Sequence, residues 1–515
     1  MEYHYPAEFI VPTNMEYDIG PLGKAFETEF EQQELPVGLR LVDLLEGVLV
    51  AGGTATQRFQ LNAKIVSEAA IAEENYLIIT MNHEWRRFLD LNKQTCVVLR
   101  LGADLTLNPL DAEGADTIEH VATLSQAFSQ AFYLSRLGYE SLLESLVDLF
   151  EGSRADAVAP DFEALKTSLQ NRLTTTRGTL AGELGVVYQA LANMGVGPLS
   201  RIFGKTNIPL DQLMNGVTII EIEPLPQQDL QFVFLCLLVK LLSYSKTHSQ
   251  RATILLDSMD VLMPHNPFSA KARDTEHYLL DWLHRFKSYN KGIHISFHTP
   301  SRAAQIILDA FPTTLAFKIT SEENVKAIGN SLQFLPDRLV HSRERHDNYQ
   351  VEFLKTMPSD ICILKRADVL NAFPVRMMPP DFAQTHIAEV NELQDRVRLF
   401  FPAWEAPKIL SRVALERNFS GRDVLLTKRI LSLLKEYPDL GTTGLFSSLS
   451  ANPEMELEMT GLEVVLNRMV QLNYIAVIER DDERGHSHKS YQLKDRGSDA
   501  LKEYLDELDE RLAHT

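Results

Sequence analysis

Cysteine is scarce in this chain of 515 residues, with three in all, Cys96, Cys236 and Cys362. Each stands alone in an apolar run, without a CxxC pair or zinc-ligand spacing. They read as buried thiols of a reducing compartment and give no disulfide framework. Basic charge is also in deficit, 50 Lys and Arg against 70 Asp and Glu, for a net charge of −20. A surface of that sign argues against nonspecific coating of DNA and leaves room only for a local basic lining, such as a pore. Long apolar runs are missing too. The longest, Phe232 to Leu242, is interrupted by Lys240 and is too short to span a bilayer. The start, MEYHYPAEF, carries neither a basic n-region nor an apolar h-region, so no signal peptide is expected. The expectation is a cytoplasmic protein without a membrane partner. There is no internal repeat and no low-complexity segment.

What is present is ordinary globular composition, 45% apolar and 23% charged. The length allows about two to four domains. Residues 1–40 are polar and broken by Pro6, Pro12, Pro21 and Pro36, which reads as an extended N-terminal arm. From Gly47 onward β-type runs alternate with helical stretches, the pattern of a parallel sheet wrapped by helices. The runs are Gly47–Val50, Tyr76–Thr80, Cys96–Leu101, Val217–Ile222, Thr253–Asp257, Ile293–His298 and Thr314–Ile319. A mostly helical block, about 117–215, is inserted between the third and fourth. Two more β-like runs, Val351–Phe353 and Asp360–Lys365, precede a proline-marked linker near Pro374–Pro380. The domain plan is therefore an arm (1–40), an α/β core (41–380), a helical linker (381–421) and a C-terminal unit (422–515).

The first chemical signal is GVLVAGGTATQRFQLNAKIV, Gly47–Val66. It has the outline of a P-loop, G-x-x-x-x-G-K-[ST], in which backbone N–H groups cradle phosphates, Lys reaches the β/γ-phosphates and Ser/Thr holds Mg²⁺. Gly52 fits the first glycine, and Gly53, Thr54 and Thr56 could line a cradle. Gln57, Arg58 and Phe59 stand where Gly, Lys and Ser/Thr belong. Arg58 keeps the charge, but its planar fork does not replace a compact ammonium. Phe59 offers no oxygen. Taken alone, the stretch is equally a plain strand–loop–helix turn.

The second signal is TILLDSMDVLM, which delivers Asp257 to a strand's carboxyl edge, the position of a Walker B aspartate. The following residue is Ser258 rather than a Glu able to act as general base, and Asp260 is displaced by two positions. The third is GIHISFHTPS, where His298 ends a β-run as a candidate phosphate sensor or a plain structural histidine. The fourth is CVVLRLGADLTLNPLDAEG, Cys96–Gly114.

Read together, VGLRLVDLLEGVLVAGGTAT, ENYLIITMNHEW, VLRLGADLTLNPLD, ILLDSMD and ISFHTPS resemble the HerA/FtsK-type translocase ATPases, with the order and spacing of the HerA helicase central domain. The resemblance covers roughly residues 18–380, and Asn108-Pro109-Leu110-Asp111 is its most specific segment. It implies a RecA-like P-loop core, a homo- or hetero-oligomeric ring (a hexamer), translocation of double-stranded DNA and partners such as an active ATPase or a nuclease. The departures bear on chemistry. The β-barrel expected before the core is absent from the roughly 40 upstream residues. Walker A, the Walker B Glu and the sensor Gln are changed, and Asn82-His83-Glu84 keeps His83 and Glu84 while lacking the leading Asp. Asp257 is left as a weak metal ligand, with Asp257 and His298 as vestiges of Walker B and sensor. ATP and Mg²⁺ then find few anchors, and no cofactor is assigned. Hydrolysis by this chain alone is not expected, because phosphoryl transfer depends on positioning and electrostatics.

The last segment resembles a winged helix-turn-helix domain. Gly461–Leu472 is its recognition-like helix, and Asp481–His488 is a wing between two strands. Asn467, Arg468, Gln471 and Arg484 are its candidate contacts to DNA or to a protein partner. The end, LKEYLDELDERLAHT, reads as an acidic amphipathic helix. The overall expectation is a HerA-like pseudo-ATPase serving as scaffold or regulatory subunit of a DNA-processing or defence-type complex. The alternatives are an active translocase with unusual motifs, using Arg58 and Asp260, and a winged-helix adaptor on an inert P-loop fold.

Overall fold

The computed structural model describes residues 9–26, 35–91, 96–153, 159–194, 199–257, 259–263, 270–334, 349–380, 382, 385–404, 415, 419, 422–450, 459–481 and 487–513. The chain divides into two compact units, residues 1–184 with 205–406, and residues 185–204 with 407–515.

The first unit is built on one sheet. Its strands are β1 (Ile19–Ala25), β2 (Pro36–Leu39), β3 (Val48–Ala51), β4 (Tyr76–Thr80), β5 (Cys96–Arg100), β6 (Val217–Glu221), β7 (Ala252–Leu256), β8 (Lys291–Phe297), β9 (Thr313–Ala316), β10 (Ile361–Lys365) and β11 (Phe373–Met377). They lie in the order β2-β1-β11-β10-β9-β3-β8-β7-β4-β6-β5. From β9 to β5 every neighbouring pair is parallel. All residues of these parallel strands are buried, as a sheet covered by helices on both faces requires. All seven β-runs expected from the sequence are these strands. The architecture is the α/β P-loop core of RecA type.

Three expectations change. The N-terminal segment is not merely an extended arm, because β1 and β2 join the sheet, and β1 pairs antiparallel with β11. The stretch expected as a proline-marked linker contains β11. Pro374 is tolerated there because the adjacent residues carry the pairing with β10 and β1. Val351–Phe353 is helical, inside Tyr349–Thr356, since one β-branched and one aromatic residue either side of Glu352 are too few to fix a strand against that context.

Between β5 and β6 run the helices Thr117–Phe132, Arg136–Ser153, Phe162–Thr175 and Thr179–Met194. The corner that leads into them is Asn108–Asp111. Asn108 Oδ1 accepts from the Leu110 amide at 3.1 Å, and its Nδ2 donates to the Pro160 carbonyl at 2.9 Å. Asp111 accepts from the Glu113 amide at 3.1 Å and lies 3.5 Å from Lys240. Lys240 also pairs with Glu113 and is itself only 1% exposed. His120 donates from Nε2 to the Pro109 carbonyl (3.0 Å), and its Nδ1 meets Ser243 Oγ (2.7 Å). Burial pushes His120 down to about 4.

Lys240 belongs to the helix Gln227–Thr247, which is long and apolar enough to cross a membrane. In this fold it is mostly buried as a core helix, and Phe232, Phe234 and Leu241 lie inside. Its apolar length thus serves the core, and the paired Lys240 is what a buried ammonium needs.

The second unit contains the helices Arg422–Glu436, Thr442–Ser450, Met459–Gln471 and Asp495–Ala513. With them go β12 (Leu440–Gly441), β13 (Ile475–Asp481) and β14 (Ser487–Leu493). The strands form an antiparallel sheet in the order β12-β14-β13. Ile430, Leu434, Leu445, Leu462, Leu466, Met469 and Leu501 make its core.

Candidate functional site at the carboxyl edge of the sheet

The carboxyl ends of β3, β8, β7, β4 and β6 lie side by side, which is where open parallel sheets place ligands. Strand register lines up a polar row along this edge. Arg100 of β5 is opposite Glu221 of β6, and Glu221 is opposite Thr80 of β4. Asp257 follows β7, with its amide bonded to the Ile79 carbonyl at 3.0 Å.

The loop after β3 is short. The chain leaves the strand at Ala51 and enters the helix Ala55–Ile71 with Thr54 as N-cap. Thr54 and Gln57 form a capping box. The Gln57 amide donates to Thr54 Oγ1 (3.2 Å) and the Thr54 amide to Gln57 Oε1 (2.8 Å). Two more loop amides are spent inside the protein, Gly52 N–H on the Phe297 carbonyl and Gly53 N–H on the Lys318 carbonyl, both at 3.1 Å. Both glycines have positive φ, +74° and +62°, and a Cβ on Gly52 would come within 2.5 Å of Ile319 Cγ1. The loop therefore lies flat on the chain that continues β9.

Arg58 closes this arrangement. Its Nη1 donates to the Gly52 carbonyl (2.9 Å) and the Gly53 carbonyl (3.0 Å) and lies 3.4 Å from His298 Nδ1. Burial lowers its pKa, against the charges of Asp257 and Asp260. Thr54 and Thr56 are exposed at the helix start. Phe59 points inward, edge-on to Trp85 at 5.3 Å and against Phe382 at 5.0 Å. Its position is an aromatic core position, which explains why no hydroxyl stands there.

Asp257 accepts three side-chain hydrogen bonds at this edge. Oδ2 accepts from Trp85 Nε1 (2.8 Å) and Thr80 Oγ1 (3.0 Å), and Oδ1 accepts from Asn62 Nδ2 (3.2 Å). Burial raises its carboxyl pKa, and the bonds from Trp85 and Thr80 and the charge of Arg58 pull the other way. Asp260 is committed as well. Its carboxylate takes the amides of His298 (2.8 Å) and Thr299 (2.9 Å), fixing the turn after β8. Ser258 lies outside the described residues.

A second ionic group adjoins this row. Glu221, 1% exposed, is held by Arg86 Nε at 2.8 Å and by His83 Nδ1 at 2.8 Å. Glu84 pairs with Arg87 at 2.8 Å. Trp85, Asn62, Thr80, Arg86 and Glu221 thus surround Asp257 and its neighbours without having been singled out in the sequence. The one available cue was Trp85, which directly follows the His83-Glu84 pair.

A magnesium nucleotide does not fit these residues. Of the loop amides, those of Gly52 and Gly53 are bonded to carbonyls and that of Thr54 to a side chain, Phe59 has no oxygen, and both Asp257 oxygens already accept. Among the described residues no group of three or more His, Cys, Asp or Glu side chains could hold a metal ion.

In the second unit Asn467 is exposed on the helix Met459–Gln471, together with Met459 and Glu463. Arg468 lies over the Phe419 ring, 5.6 Å from its centroid, and so packs within its own unit. The Gln471 side chain and all of Arg484 lie outside the described residues.

The fold is shared with solved structures of the α/β P-loop type. VirB4 of Thermoanaerobacter pseudethanolicus superposes with a TM-score of 0.56 at 14% identity, over 72% of this chain and 99% of that one. The plasmid coupling protein TrwB, solved with ADP and Mg²⁺, superposes with a TM-score of 0.50 at 12% identity, over 69% of this chain and 89% of that one. At that identity the likeness is one of fold. No family model and no curated protein sequence matches the chain.

Proposed function

We propose that this chain is a HerA-like pseudo-ATPase, a scaffold or regulatory subunit of a ring-shaped DNA-processing or defence-type complex. The observation that carries the proposal is the closed edge. The amides of Gly52, Gly53 and Thr54, Arg58 and Asp257 are bonded to one another and to the surrounding fold, so binding Mg-ATP through them would first have to break those bonds. Uncompensated, each buried donor or acceptor left open costs about 1–3 kcal/mol. A ring subunit relieved of hydrolysis can still hold its neighbours, and an active ATPase or nuclease is the partner this reading calls for.

The test has two arms. Titration calorimetry with Mg-ATP should give no saturable heat up to about millimolar nucleotide. Mass measurement, alone and with an ATPase or nuclease that co-purifies from the native cell, should give an oligomer, for which the fold resemblance suggests a hexamer. ATP-driven translocation of double-stranded DNA by the isolated protein would sink the scaffold reading in favour of an active translocase. A monomer under all conditions would favour an adaptor that works through its C-terminal unit.

That unit, with its helix–strand–helix–helix–strand–strand order, is proposed as a winged helix that docks protein. The exposed positions Met459, Glu463 and Asn467 carry no positive charge, whereas phosphate contact depends on Lys and Arg.

A further inference from the structure

The chain that follows the core sheet, residues 385–404, lies as a strap along β5, the last strand of the sheet. An unpaired edge strand needs cover, and here the helix Val390–Phe400 supplies it. The strap is held by Arg87 Nη1 on the Thr385 carbonyl (3.0 Å), Arg396 Nε on the Cys96 carbonyl (2.8 Å) and Trp404 Nε1 on the Asp104 carbonyl (2.7 Å). None of these donors changes its protonation near neutral pH.

The His386 amide adds a bond to Asp90 Oδ2 (3.0 Å) that is likewise independent of pH, whereas the fastening by the His386 ring titrates. His386 Nδ1 lies 2.8 Å from Asp90 Oδ2 and Nε2 lies 3.0 Å from Glu392 Oε2. Asp90 sits on the core helix Phe88–Leu91, and Glu392 sits on the strap helix. Ionised carboxylates only accept, so both ring nitrogens must donate. A neutral imidazole has one N–H and would turn a lone pair toward the other carboxylate, so only the imidazolium satisfies both. The other charges on these elements do not substitute. Arg87 is committed to Glu84 and to the Thr385 carbonyl, and Glu389 adds only its backbone amide, bonded to Glu392 at 2.9 Å.

We propose that His386, clamped between Asp90 and Glu392, is a proton-operated latch that tightens the leading end of the strap over β5 and loosens it when the imidazolium loses its proton, leaving the Arg87 and backbone-amide bonds in place. The bond to Glu392 first, and that to Asp90 second, hold the imidazole above its usual range, and the same bond holds Glu392 below its own. The sign follows. A group whose pKa is raised in the closed form stabilises that form below the pKa of the open form and loses the effect as pH rises through the closed-form value. The latch is therefore shut on the acid side of neutrality and loosens on the alkaline side.

Amide hydrogen exchange of the full chain, corrected for intrinsic rate, reads this directly. Peptides spanning 385–400 should lose protection between about pH 6 and pH 8, as the imidazolium gives up its proton. Peptides from β7 should not change. His386→Gln should remove the pH dependence, and Glu392→Gln should move the imidazole's NMR titration to lower pH. Equal protection of 385–400 at both pH values, or the same pH profile in His386→Gln, would overturn the latch. Loss of β7 protection in a variant would signal general unfolding, and the wild-type profile with the Glu392→Gln titration then decides.

Discussion

Two turns in the first unit invite comparison, Gly52–Phe59 at the start of the P-loop helix and Asn108–Asp111 at the entrance to the inserted helices. The first has lost most of the letters of its motif and keeps its shape, a strand, a tight turn and a helix. The second keeps all the letters of its signature, and its side chains bond to neighbouring backbone and to Lys240. In the first, Gly52, Gly53, Thr54 and Arg58 are bonded inside the protein. In the second, the residues of the signature bond the corner together. Intact letters here report packing, and altered letters coincide with internal bonds.

The sharpest way to break that comparison is at Asp257. If it is a structural hub, Asp257→Ala leaves Trp85, Thr80 and Asn62 as donors without an acceptor and should cost about 3 kcal/mol. The change should appear as a lower urea midpoint at unchanged m. In a working ATPase the same change would spare stability and remove turnover. Asn108→Ala opens the other turn, removing two hydrogen bonds at a half-buried site, and should cost about 1–2 kcal/mol by the same measurement. A smaller effect comes from acid. His120 and His294 are buried as neutral rings, pushed down to about 4 and about 3 by burial. The unfolded chain binds those protons first, so stability is intact above about pH 6.5 and falls as pH drops toward the folded values. Each ring contributes of order 1 kcal/mol by about pH 5.5, and His120→Gln should remove roughly half of that slope.

The comparison is sharpened by restoring the letters. The triple change Gln57→Gly, Arg58→Lys and Phe59→Thr rebuilds Walker A, but it leaves Asp257 bonded to Trp85, Thr80 and Asn62 and takes Phe59 out of the aromatic core. No ATP turnover above background is expected from it. Turnover would mean that those three side chains alone had been missing.

Much of the core was legible in the sequence because parallel strands buried on both faces are short apolar runs, and all seven appear as such. The antiparallel extension was not. β1 carries Gly20, Pro21 and Gly23, and β11 carries Pro374, residues that read as loop until a partner strand supplies the pairing. At the site, Asp257 and the loop could be placed from motif spacing alone. Their partners could not, because Asn62, Thr80 and Trp85 meet Asp257 across separations of 195, 177 and 172 residues. Nothing local marks a tryptophan as the donor to an aspartate on another strand.

The pairing of β1 with β11 also orders events in time. Gly23 is matched to Met377, so the pair of β1 and β2 cannot join the rest of the sheet until the strands up to β11 have left the ribosome. At about 5–20 residues per second that wait is roughly 20–70 s. The edge that β1 will cover is itself made last, and contacts of such sequence separation close slowly. A nascent chain stopped before β11 would have the parallel block and no place for its own beginning. Emergence of β11, rather than collapse of the core, is what seals the N-terminal side of this sheet.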